Sequence, residues 1–185
     1  IEVEGGGYLI GGYSNRVENT RSFTAVRTTR DGDVIWANSY DPEDGEYVNN
    51  SINDVIELKN DDFILAGWAG FHYHDADSHA CYNSKGWMTR VNQDGDLIWA
   101  EGYHRNRGNE RTEMCQIWSI LQSEDRILGC GYIYGRGAWV FAVSVENGEL
   151  EWEHIFDYDP ENPQRVNNGI YTRIVSSGGD YCVFG

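Results

Sequence analysis

Asn92-Gln93-Asp94-Gly95-Asp96-Leu97-Ile98-Trp99 is a polar turn feeding an apolar strand, and the chain carries it in three versions. The others are Asp31-Gly32-Asp33-Val34-Ile35-Trp36 and Asn147-Gly148-Glu149-Leu150-Glu151-Trp152. Each Asp-Gly or Asn-Gly pair is read as supplying the positive φ angles of a short hairpin turn, with the Trp mid-strand on the return leg. Four residues beyond each Trp stands another aromatic: Tyr40, Tyr103 or Phe156. A pattern that recurs in turn, Trp and following aromatic marks a repeat protein.

The remainder of the chain aligns on the same repeat. The segments 1–12, 56–67, 120–131 and 174–185 superpose without gaps, each reading as a strand end, a polar turn and a second strand. A third strand follows around 23–28, 87–91 and 139–145, then the glycine turn and the Trp-bearing fourth strand. Four antiparallel strands per repeat, at spacings of roughly 40 to 60 residues, predict an all-β fold of propeller blades. The division is into repeats at about 1–55, 56–119 and 120–173 with a partial blade at 174–185, together a single propeller segment. Strands such as 63–68 and 139–143 are apolar on both faces, which suits a sheet held between two others. The small residues Gly11-Gly12, Ala66-Gly67 and Gly129-Cys130-Gly131 suit an inner strand where blades converge. Rings close with about four to eight blades, so about three visible blades imply a larger ring, completed by more of the same chain or by another copy. A start and an end within strands favour the former.

Composition narrows the function classes. The net charge is −16, from 30 acidic against 14 basic residues, and only Lys59 and Lys85 are lysines. Such a surface repels phosphate backbones and anionic lipid, which argues against nucleic-acid partners. No apolar run of about 18 residues is present, so no membrane insertion is expected. Cys81, Cys115, Cys130 and Cys182 form no CxxC pair.

The Gly-x-x-x-Trp spacing after a hairpin turn resembles the tryptophan-docking motif of PQQ-like, quinoprotein-like β-propellers. Gly6-Gly7-Tyr8-Leu9-Ile10-Gly11-Gly12-Tyr13 and Asp61-Asp62-Phe63-Ile64-Leu65-Ala66-Gly67-Trp68 are similar to repeats of secreted bacterial and archaeal propellers of that type. The resemblance spans essentially the whole chain. It implies that Trp36, Trp99 and Trp152 each pack, substantially buried, into the following blade. It also implies an extracellular or cell-surface protein. The chain departs from the family in lacking the Thr usual before the Gly and the adjacent Cys-Cys pair of the quinone-binding enzymes.

Recognition is expected on the long connections 14–22, 41–51, 69–86, 104–115 and 157–168. The richest holds His72, His74, Asp75, Asp77, His79 and Cys81, whose nitrogen and oxygen donors could close around a divalent metal such as zinc. The competing reading is a polar surface insertion. The acidic groups at Asp41 and Asp157 recur at matching places, which suits a structural role better than a catalytic one. No cofactor other than a possible metal is expected, and no nucleophile elbow or phosphate loop is present. Cys81 and Cys115, both in connections around the second repeat, are a candidate disulfide in an exported protein. By alignment, Cys130 and Cys182 leave the same face of their sheets and are expected to be buried free thiols.

Two functions stay open. One is a non-enzymatic scaffold or binding module whose tyrosine-rich loops, Tyr40 and Tyr103 among them, contact protein or glycan. The alternative is a fragment of a quinoprotein-like or metal-dependent enzyme.

Overall fold

The computed structural model describes residues 1–15, 20–42, 49–74, 80–103, 114–133, 137–156, 173–177 and 180–184, with the side chains of 71–74 and 80–83 outside that description. Every regular element among these residues is a strand. In chain order they are β1 (Tyr8–Asn15), β2 (Arg21–Thr28), β3 (Val34–Ser39), β4 (Asn49–Glu57), β5 (Phe63–His74), β6 (Ala80–Val91) and β7 (Leu97–Tyr103), then β8 (Cys115–Ser123), β9 (Arg126–Ile133), β10 (Gly137–Ser144), β11 (Leu150–Phe156), β12 (Arg173–Ser177) and β13 (Asp180–Phe184).

The strands meander into successive antiparallel sheets. β4-β5-β6-β7 and β8-β9-β10-β11 each run in chain order, while β1-β2-β3 lacks a full first strand, replaced by the bridge Glu2↔Tyr8. β12 pairs with β13. One parallel bridge, Arg21↔Asn49, ties the first sheet to the second.

The middle strands show why the pattern is apolar on both faces. Phe63 and Leu65 of β5 enter a core shared with Leu9, Phe23 and Trp36 of the first sheet. Their neighbours Ile64 and Ala66 point the other way, into a core with Ile117, Ile127 and Phe141 of the third. Leu128, Cys130 and Ala142 then meet Ile174 of β12 in a third core. Side chains alternate across a strand, so each central sheet fills two cores at once.

The turns are built differently from the expectation. Gly32, Gly95 and Gly148 have φ of +91, +82 and +75°, but no Asp or Asn of these turns does. The loop is closed by Gly95 N donating to Asn92 O and Asn92 N to Asp96 O, with Asn92 Oδ1 accepting from the amides of Asp94 and Asp96. This is a right-handed turn finished by one left-handed glycine, so a single residue per turn needs positive φ. A second correction concerns 69–86, read as a loop. The β5–β6 ladder runs on to His74↔Ala80, and the aromatics Phe71, Tyr73 and Tyr82 favour strand geometry even in this polar stretch.

Candidate functional site

The best-defined arrangement of side chains lies at the junctions between sheets. Trp36 Nε1 donates to Gln93 O at 2.8 Å, Tyr40 Oη to Gly95 O at 2.8 Å and Asn38 Nδ2 to the same carbonyl at 3.1 Å. Trp36 and Asn38 of β3, with Tyr40 one residue past its end, thus grip the glycine turn of the next sheet. The grip repeats one junction on, where Trp99 Nε1 donates to Val145 O at 3.0 Å and Tyr103 Oη to Gly148 O at 2.8 Å. A Cβ on Gly95 would sit 2.8 Å from the Trp36 ring, and one on Gly148 2.9 Å from that of Trp99. The glycine therefore serves twice, for its φ and as a flat seat for the indole. Arg90 reinforces the second junction: it pairs with Asp62 at 2.6 Å and donates to Val145 O at 3.0 Å.

Trp36 is buried at 9% exposure and Trp99 is half-buried, but Trp152 is 38% exposed, contrary to expectation. The reason is that no glycine turn lies against it among the described residues. Trp152 instead heads a ladder with His154 and Phe156, ring centroids 5.7 and 6.3 Å apart. Tyr40 and Tyr103, expected in recognition loops, are buried and committed to the junctions. Burial pushes both phenols above their ordinary pKa.

Two clefts open beside the junctions. One, about 430 Å³, is lined by Glu101, Tyr103, Cys115, Trp139, Glu149 and Glu153. Its aromatic floor is Trp139, which stacks on the fully buried Phe141 at 4.1 Å and donates from Nε1 to Glu153 at 2.9 Å. The other, about 520 Å³, includes Glu4, Arg27, Glu57, Asp61, Phe63 and Asp94. Arg27 there donates to Gly6 O at 2.6 Å and to Thr28 O. Both mouths are acidic, a field that favours cationic or neutral polar ligands.

Of the metal candidates, His72 and His74 fall in β5 by their backbone, but their side chains and all of Asp75, Asp77 and His79 lie outside the described residues. The Cys81 side chain lies outside them too, so the Cys81–Cys115 pairing is not placed; Cys115 is buried. Asp41, read as structural, accepts from Phe23 N at 2.8 Å and Asn50 Nδ2 at 2.7 Å, and so pins the connection leaving the first sheet.

Cys130 is fully buried, as read, whereas Cys182 is exposed. The register reading holds for direction: Cys130 and Ala66 each face the following sheet, while Val183 rather than Cys182 packs back on the third core. Cys182 therefore faces outward, where no described sheet covers it. Burial, and secondarily the Asp54 charge, push the Cys130 thiol up to about 12. A thiol-specific disulfide reagent at about pH 8 is expected to label Cys182 within minutes and Cys130 only on unfolding, since the thiolate is the nucleophile. Mapped labelling of Cys130 in the folded protein would contradict this.

Asp54 was not singled out by the sequence. It sits in the irregular stretch of β4 between Ile52 and Asp54, accepts from Val55 N and from Ile120 N of the next sheet, each at 2.9 Å, and is joined there by Asn53 donating to Ile117 O at 2.7 Å. Burial dominates and raises its carboxyl above the ordinary value, although the Ile120, Ser119 and Val55 hydrogen bonds favour the anion. A group that holds its proton more tightly when folded stabilises most below its unfolded pKa, about 3.9, and that contribution fades as pH rises through the folded value. Relative to Asp54→Asn, the wild type should therefore lose stability as pH rises from about 4 towards neutrality. Urea midpoints across that range check it, and a wild-type stability that rises with pH relative to Asp54→Asn would refute it. Asp54→Ala, which orphans the Ile120 amide, is expected to cost about 1 to 3 kcal/mol.

No protein-family model and no curated protein matches this chain.

Proposed function

We propose that the chain is a run of PQQ-like β-propeller blades acting as a non-enzymatic scaffold or binding module, extracellular or on a cell surface, for protein or glycan partners. The observation that carries the reading is the grip that each outer strand takes on the next sheet's glycine turn, made by Trp36 with Tyr40 and again by Trp99 with Tyr103. A fixed step from sheet to sheet, repeated, is what carries blades around an axis. Sheets apolar on both faces support the same architecture.

The clefts support binding over catalysis. Their most buried polar groups already serve the fold: Tyr103 holds Gly148, Trp139 holds Glu153, and Arg27 holds Gly6. The net charge of −16 sets nucleic acid aside and suits cationic protein surfaces or neutral sugars. Partner candidates are protein, glycan and further blades, from the same chain or another copy.

The test uses the purified protein on arrays of glycans and basic peptides at about 0.15 M salt, beside equilibration with pyrroloquinoline quinone and zinc followed by native mass spectrometry. Saturable binding to one array class without retained quinone is the expected result. Stoichiometric quinone retention would replace this reading with the enzymatic one.

A further inference from the structure

Arg27 of β2 and Arg90 of β6 hold one place in successive sheets, since each pairs with the Trp of its own sheet just before a register shift, Arg27↔Trp36 and Arg90↔Trp99. Their partners differ. Arg90 Nε and Nη2 both donate to Asp62 Oδ2, at 3.0 and 2.6 Å. Asp62 immediately precedes β5, and the residue that immediately precedes β1 in the same register is Gly7. A Cβ on Gly7 would meet Arg27 Nη1 at 2.7 Å and Thr28 O at 2.0 Å, so no carboxylate-bearing residue fits there. Arg27 is 8% exposed, and among the described residues its guanidinium donates only to two backbone carbonyls, Gly6 O at 2.6 Å and Thr28 O. A guanidinium has five N–H donors, and a buried cation without a counter-ion is costly. Arg27 lines the cleft of about 520 Å³. The other buried walls of that cleft are Val3 and Phe63, whereas Glu4, Asp61 and Asp94 are exposed and Glu57 is half-buried. One cation thus lies deep in a partly apolar recess, and four carboxylates that do not pair with it stand around the mouth.

We propose that this cleft binds a small zwitterion of the amino-acid class, with basic amino acids such as lysine as its favoured members. The ligand carboxylate takes donors of Arg27 that the backbone leaves over, in the planar fork that suits two oxygens. Its aliphatic stem lies against Val3 and Phe63, and its ammonium groups meet Glu57, Asp61 and Asp94. Both charges are needed: a plain anion must pass four carboxylates, and a plain cation meets the guanidinium inside. Among the described residues no three acidic, His or Cys side chains gather as a metal site requires, so the mouth suits an organic ammonium better than a metal ion. At the next junction Asp62 already holds Arg90, and the same ligand finds no guanidinium to take.

The inference rests on the binding reading of the clefts proposed above and names the ligand of one of them. The test is calorimetric titration of the 185-residue protein with L-lysine at about pH 7 and about 0.05 M salt, where charge contacts are least screened. Two truncated ligands run beside it: 1,5-diaminopentane, which lacks the carboxylate, and hexanoate, which lacks the ammonium groups. One-to-one binding of lysine is expected, at least tenfold tighter than that of either. Arg27→Lys keeps the charge but loses the fork, and is expected to weaken lysine at least tenfold. Asp61→Asn combined with Asp94→Asn, both on the exposed mouth, is expected to weaken it at least threefold. If Arg27→Lys does not fold, the mouth variant and the truncated ligands decide alone. No saturable lysine binding up to about 10 mM, equal binding of diaminopentane, or lysine binding unchanged in the folded variants overturns the proposal. Binding on the glycan or peptide arrays without lysine binding sinks this proposal alone, whereas stoichiometric quinone retention sinks the binding-module reading and leaves the titration to be judged by its own outcome.

Discussion

Trp36→Ala is expected to destabilise the protein by about 3 to 5 kcal/mol, the usual range for deleting a core aromatic. The indole is almost fully buried in the first core, and its Nε1 holds Gln93 O. Removing it opens a void between two sheets and leaves the Gly95 turn without its cover. Trp152→Ala is the internal control. Its ring is exposed and makes no described bond to a following turn, so its loss should stay within about 1 kcal/mol. Urea unfolding of the two variants side by side decides the matter, and equal midpoints would mean that the aligned tryptophans do not act through the sheet junctions.

The second large effect is expected at Gly131→Ala. A Cβ there would lie 1.9 Å from Gln116 O, and at the aligned Gly67 the same construction gives 2.0 Å from Ser51 O. Both obstacles are backbone, which cannot rotate aside, so the strand must move and about 3 kcal/mol or more is lost. The third aligned position behaves oppositely. Gly12 has open space where its Cβ would be, because only the Glu2↔Tyr8 bridge stands in for the first strand of that sheet. Gly12→Ala should therefore be neutral within about 0.5 kcal/mol. Thermal melts of the three alanine variants read this directly; a destabilised Gly12→Ala beside an unaffected Gly131→Ala would show that the alignment of repeats is out of register.

The strands, their order and the two apolar faces of β5 were legible because alternation and turn glycines are local signals. The aromatic four residues past each Trp was also visible, but its task was not. Tyr40 reads as a loop residue until the chain brings Gly95, far along the sequence, against its hydroxyl. Asp54 and Asn53 gave no signal for the same reason: their partners Ile120 and Ile117 belong to another repeat, and a lone acidic residue in a strand resembles a solvated one. The turn chemistry misled in detail because Asp-Gly serves both two-residue hairpins and glycine-bulge turns. The exposure of Trp152 was hidden by the repeat itself, since three matching motifs suggest three matching environments.

A strand whose neighbouring residues Ile64 and Leu65 are both greasy and both interior poses a problem of identity. In a half-wet strand a one-residue slip throws the core into water and is rejected at once. In β5 the same slip would merely exchange the occupants of two dry compartments. The information that forbids it must come from markers indifferent to hydrophobicity. Gly67, fitted against Ser51 O, is one such marker, and the irregularity between Ile52 and Asp54 with its hydrogen bonds to Ile117 and Ile120 is another. In this architecture the apolar residues supply the cohesion, and a few small and polar ones act as the index marks that say which residue goes where.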